Sequence, residues 1–156
     1  MRRLAPVVLA AFLLHTGQAR AAQFAASPVQ LTALLKQPIA FNIAVSDRAT
    51  TCFNKEVVEN RGKALMSRYQ IARAEKVGPD HPAIFVSVIG FESENRSGYK
   101  TGCDAAVEMQ LMSSGDGFWA EWADDLRLIT GPEVLTSDIA DIIQEFIEAL
   151  VAKAAD

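Results

Sequence analysis

The sequence predicts an α+β domain: a small two-layer sandwich in the order strand, helix, strands, helix. Its sheet is mainly antiparallel, of about four strands, with two helices on one face. Three features carry this reading. Residues 38–47 alternate apolar and small or polar side chains, residues 83–129 hold three further extended runs broken by glycine-containing connections, and the last twenty residues place apolar side chains at helical spacing. A sheet whose helices bury one face is the simplest two-layer solution for that order.

The first strand is PIAFNIAVSD. Ile39, Phe41, Ile43 and Val45 alternate with Ala40, Asn42, Ala44 and Ser46 behind Pro38, which is the period of a half-buried strand. The following TTCFNKEVVENRGKALMSRYQI shifts to helical spacing, with Val57, Val58, Leu65 and Tyr69 as its expected buried stripe. Asn54 is the expected cap, and Phe53 the residue that packs on Val58 as a hydrophobic staple. Gly62 inside this helix costs about 1 kcal/mol relative to alanine. Ile71–Val77 carries no decisive period, and Gly78-Pro79-Asp80-His81-Pro82 is a turn.

AIFVSVIGFESE is apolar on both faces, with Ile84, Val86 and Val88 on one and Phe85, Ile89 and Phe91 on the other. Such a strand belongs inside a sheet. CDAAVEMQLM resumes strict alternation, with Ala105, Val107, Met109 and Leu111 on one side and Glu108 and Gln110 on the other. SSGDG reads as a hairpin connection into FWAEWADDLRLI, a strand expected to bend at Asp124-Asp125. The closing helix carries Ile139, Ile142, Ile143, Phe146, Ile147, Leu150 and Val151 on one stripe, with a cap expected from Thr136, Ser137 or Asp138.

The N-terminus speaks to compartment. In MRRLAPVVLAAFLLHTGQARA, Arg2 and Arg3 precede an apolar run of 11 residues, Leu4–Leu14, and Ala19-Arg20-Ala21 fits an A-x-A cleavage site. That order is a secretory signal peptide over residues 1–21, with residues 22–156 as a single exported domain. A spanning helix needs about 20 apolar residues, so no stable membrane insertion is expected after cleavage. The leader holds three of the 15 basic residues and none of the 19 acidic ones, so its loss moves the formal charge from −4 to −7. Phosphate backbones repel such a chain, which argues against a nucleic-acid partner.

Export decides the reading of the two cysteines. An even pair in an oxidising compartment is a disulfide, here Cys52–Cys103. Closing a loop of about 50 residues is worth roughly 4 kcal/mol in the chain-entropy account. C-x-x-C spacing is missing, and the Cys and His residues are too few for a zinc site.

No catalytic set is legible. His81 is the one histidine after the leader, and its G-P-D-H-P setting is that of a solvated turn residue. The sequence has no G-x-S-x-G elbow, H-E-x-x-H pair or phosphate-cradling glycine loop. Asp116, Asp124 and Asp125 lack the alternation of a calcium loop. The expectation is therefore no cofactor and no metal. The alternative is a small secreted hydrolase working with carboxylates, drawn from Glu92, Glu94, Glu108 and Glu121. Asn95-Arg96-Ser97 matches the glycosylation pattern, which matters only in a eukaryotic host.

The aromatic residues lead elsewhere. Phe118, Trp119 and Trp122 crowd one strand, and Tyr99 precedes Cys103. Tryptophan and tyrosine are enriched at binding hot spots, although one of the two tryptophans is expected to cap the core. Helices on one sheet face leave Phe85, Ile89 and Phe91 on the other, and uncovered apolar area of that kind marks an interface. The candidate interface is Phe85, Ile89, Phe91, Trp119 and Trp122. The layout resembles, at the level of the fold only, small α+β accessory domains of bacterial envelope proteins. The expected role is a periplasmic or secreted non-enzymatic binding domain of the cell envelope, its partner an envelope protein or another copy of itself.

Overall fold

Residues 83–131 are realised as a three-strand meander, and the rest of the chain is built around it. The structure is a computed structural model that describes residues 22–156 apart from 51, 80, 95, 116–117 and 132–134. The leader reading of residues 1–21 lies outside the described residues, as do Asp80, Asn95 and Asp116. In chain order the elements are β1 (Gln23–Phe24), α1 (Pro28–Leu35), β2 (Ala40–Val45), α2 (Lys55–Arg68), β3 (Ala83–Glu94), β4 (Lys100–Gly115), β5 (Phe118–Gly131) and α3 (Thr136–Ala155).

The sheet order is β1-β5-β4-β3-β2. The β3–β4, β4–β5 and β1–β5 pairs are antiparallel, whereas β2 runs parallel to β3. The architecture is α+β as expected, but the described residues form five strands and three α-helices, and the sheet is mixed. Parallel pairing requires a crossover connection, and α2 supplies it between β2 and β3. Ile71–Val77 contributes one parallel bridge, Ile39 to Arg73, and no strand.

One face of the sheet is covered. Ile43 of β2, Ile84, Val86 and Val88 of β3, and Ala105, Val107, Met109 and Leu111 of β4 share a core with Leu31 and Leu34 of α1, Val58, Leu65 and Met66 of α2, and the stripe of α3. That α3 stripe, Ile139 through Leu150, is buried as its spacing predicts. The α2 stripe is rotated from its expectation: Val58, Gly62, Leu65 and Met66 are buried, and Val57 is exposed. The Phe41 ring occupies the space a Cβ on residue 62 would need, so any larger residue there would have to displace that ring.

Two caps differ in an instructive way. Asn54 caps α2, its side chain accepting from the Val57 amide at 3.1 Å. The α3 N-cap, however, is Leu135, with no side-chain cap bond. Thr136 accepts instead from the Asn54 amide at 3.0 Å, so its hydroxyl ties the start of α3 to the start of α2. Helix α1 opens with Ser27, whose side chain and Gln30 form a capping box, and with Pro28 in its first turn.

Cys52 and Cys103 form a disulfide with Cα atoms 5.7 Å apart and a sequence separation of 51. It ties the turn before α2 to β4 at the covered face, where both cysteines are buried. Asp124-Asp125 is not a bend. Both lie within β5, and the irregularity falls two residues earlier, opposite Leu111/Met112. Asp125 is only 2% exposed. Arg127 grips it with two donors, Nε to Oδ1 at 2.8 Å and Nη2 to Oδ2 at 2.9 Å, and reaches Glu145 of α3 at 3.5 Å. The bonds to Asp125 hold the Arg127 guanidinium above its ordinary pKa. No described helix is long and apolar enough to cross a membrane.

Candidate functional site

The pleat sends alternate residues to opposite faces, so the face away from the helices can be read from strand register. Five rows cross β3, β4 and β5: Phe91–Asp104–Thr130, Ile89–Ala106–Leu128, Ser87–Glu108–Leu126, Phe85–Gln110–Asp124 and, past the irregularity, Ala83–Met112–Glu121. Ile89 is 64% exposed, Phe91 53%, Leu126 45% and Leu128 74%. These four side chains form two columns, one on β3 and one on β5, with β4 between them.

At the lower end of this face Phe85 meets Trp119 edge to face, with ring centroids 5.6 Å apart and planes at 84°. Trp119 and Trp122, three residues apart, face opposite sides by the pleat, and the Leu111/Met112 irregularity sets which of them faces which side. Trp119 stays on the open face, partly exposed. Trp122 packs against the core on the helix side, and its indole Nε1 donates to Ser113 at 2.6 Å. Of the five expected interface residues, Phe85, Ile89, Phe91 and Trp119 share one face, and Trp122 does not. Leu126 and Leu128 were missed. Their signal was the alternation in DDLRLIT, where Leu126 and Leu128 take one face and Asp125, Arg127 and Ile129 the other.

The carboxylates proposed for hydrolysis do not converge. Glu92 pairs in register with Cys103, on the covered side, and forms an ion pair with Lys100; Glu108 stands on the open face. Glu121 accepts a bond from Gln110. Among the described residues no three His, Cys, Asp or Glu side chains are grouped as a metal site. His81 is half-buried in the turn before β3.

Elsewhere several charged groups are engaged structurally. A groove of about 430 Å³ between β5 and α3 is lined by Asp138, Asp141 and Glu145, but Asp141 is paired with Arg61 and Glu145 with Arg127. Tyr69 donates its hydroxyl to Glu148 at 2.8 Å. That bond, followed by one from Gln144, holds the Glu148 carboxyl below the usual range, and it raises the Tyr69 hydroxyl above its own.

The sequence matches no protein-family profile and no curated protein. Solved structures of similar fold do exist. A PelC dodecamer from Paraburkholderia phytofirmans aligns over 86% of this chain and 96% of its own, with a TM-score of 0.53 and 13% identity. A variant of the same dodecamer aligns over the same shares with a TM-score of 0.52 and 14% identity. A minor lipoprotein from Acinetobacter baumannii covers 76% of this chain and 93% of its own at 9% identity, with a TM-score of 0.46, too low to carry an argument. At these identities the likeness shows the fold and nothing finer.

Proposed function

We propose that the protein is an exported, non-enzymatic accessory module of the cell envelope that docks another envelope component through the open face of its sheet. The observation that carries this reading is the pair of apolar columns, Ile89 and Phe91 beside Leu126 and Leu128, left uncovered while the opposite face is sealed by three helices. Fully burying a side chain of this size is worth about 1.5–3 kcal/mol. Four together leave a binding energy that the fold itself does not use. Export is supported by the basic-then-apolar N-terminus and by the Cys52–Cys103 disulfide, which suits an oxidising compartment.

A second reading takes the partner to be another copy of this chain. It is favoured by the like-folded PelC structures, which are dodecamers.

The test is Ile89→Asp in the full chain expressed in its native envelope, with thermal unfolding, sedimentation and tagged-protein capture measured side by side. The expected result is an unchanged fold with loss of the captured partner or of the oligomer. An unfolded variant would show that the chain covers this face itself. A folded variant with capture and oligomer intact would place the interface elsewhere.

A further inference from the structure

The order of side chains across the open face says what kind of partner fits it; this inference rests on the docking role proposed above. Between the two apolar columns, β4 presents Asp104, Ala106, Glu108 and Gln110. Ala106 lies directly between Ile89 and Leu128, Asp104 beside Phe91, and Glu108 beside Leu126. Neighbouring strands are about 4.8 Å apart, so the columns stand roughly 10 Å from each other across a low floor. That floor holds a carboxylate on each side of a small alanine. Asp124 and Glu121 continue the acidic border along β5, and the described open-face positions in these rows carry no lysine or arginine.

Any body that covers the apolar columns therefore covers Asp104 and Glu108 as well. Asp104 receives a bond from the Ser93 hydroxyl, but an ionised carboxylate offers about four acceptor sites. Removing such a group from water without an opposing charge is strongly disfavoured. A second copy placed face to face would set acid against acid. An anionic lipid surface would set phosphate against acid. A polypeptide with lysine or arginine between apolar residues meets both demands at once.

We propose that the open face is the docking site for a cationic amphipathic helix of a partner polypeptide. A helix has a diameter of about 10–12 Å, close to the spacing of the two columns. A helix layer is also how the opposite face of this same sheet is closed. Apolar residues of the partner would lie over Ile89, Phe91, Leu126 and Leu128, and its cations would reach Asp104 and Glu108.

The test uses the intact exported protein and synthetic probes: an amphipathic leucine/lysine helix of roughly 18 residues (five turns), its leucine/glutamate counterpart, and vesicles containing phosphatidylglycerol. Calorimetry gives the affinity, and a change in tryptophan fluorescence that disappears in Trp119→Phe reports occupancy of the face. The leucine/lysine peptide should bind. Its affinity should fall about tenfold or more in Leu128→Ser and in Asp104→Asn/Glu108→Gln, and should also fall as salt rises from about 0.05 to 0.5 M. Glu56→Gln, on α2, should leave it unchanged. Absence of leucine/lysine binding, or binding indifferent to the face variants, overturns the proposal. If the leucine/glutamate peptide, the vesicles or a second copy bind instead, and Leu128→Ser abolishes that, the proposed charge class is wrong while the docking face stands. If no probe or copy responds to Leu128→Ser, both fall.

Discussion

Val88 and Ile89 are consecutive on β3, yet the first is 1% exposed and the second 64%. Val88 points into a core closed by α1, α2 and α3, between Val45 and Val107 in register; Ile89 points the other way, beside Ala106 and Leu128. The two faces of one sheet are therefore under different demands. On the covered face apolar content is set by packing, and even the charged group there, Asp125, is gripped by Arg127. On the open face Ile89, Phe91, Leu126 and Leu128 keep about half or more of their surface exposed, so their presence needs another explanation, which a partner supplies.

The sharpest way to break this contrast is to place the same charge at neighbouring positions. Val88→Asp buries an unpaired carboxylate and should destabilise by more than about 4 kcal/mol, abolishing cooperative unfolding near room temperature. Ile89→Asp should shift stability by no more than about 1 kcal/mol. Equal losses in urea denaturation would mean that the faces are not different in kind.

The next effect tests whether the covered face tolerates charge only when it is paired. Arg127→Met strands Asp125 in the core and should cost roughly 3–5 kcal/mol. Adding Asp125→Asn to that variant should recover part of the loss, because the stranded charge is gone. A double variant no more stable than the single one would show that Arg127 acts by packing and not by compensating Asp125.

The smallest effect lies at the rim of the helix layer. The Tyr69 bond lowers the Glu148 pKa in the folded state, so its stabilisation is complete above the ordinary glutamate value of about 4.3. It is lost as the pH falls through the lowered folded value. Tyr69→Phe should therefore be slightly less stable than the parent at neutral pH, with the difference closing in acid. A gap in urea midpoints that stays constant down to strongly acid pH would remove this bond from the account.

Much of the fold was legible because period and burial agree. The alternation in residues 103–111 sent Ala105, Val107, Met109 and Leu111 into the core, and the Ile139–Leu150 stripe named the buried face of α3. Helix α1 had its own signal in Ser27, Pro28 and Gln30, but eight residues are too short for periodicity to stand out. The α2 stripe was misplaced at Val57 because an apolar residue at the edge of a stripe is buried only if a neighbour reaches it. Asp124-Asp125 looked like a turn because local composition does not reveal that Arg127, two residues on, shares the face of Asp125.

The candidate site followed the same division. Phe85, Ile89 and Phe91 could be assigned to one face from β3 alone, since a strand's own pleat fixes which side chains travel together. Trp119 and Trp122 belong to opposite faces by the same pleat. Which of them meets the core could not be chosen, because the irregularity that sets it is a property of the β4–β5 pairing. The sequence by itself determined the α+β class, the order of the main elements, the cysteine pair and the two-faced character of β3, all of which rest on local period or on chemistry that needs no neighbour. Only the tertiary structure decided the parallel β2–β3 pairing, the burial of Asp125, the close approach of the Phe41 ring to Gly62, and the acidic β4 floor between two apolar columns. Each of those depends on which strands and helices lie side by side, and pairing between distant segments is set by the whole core and not by any one stretch of chain.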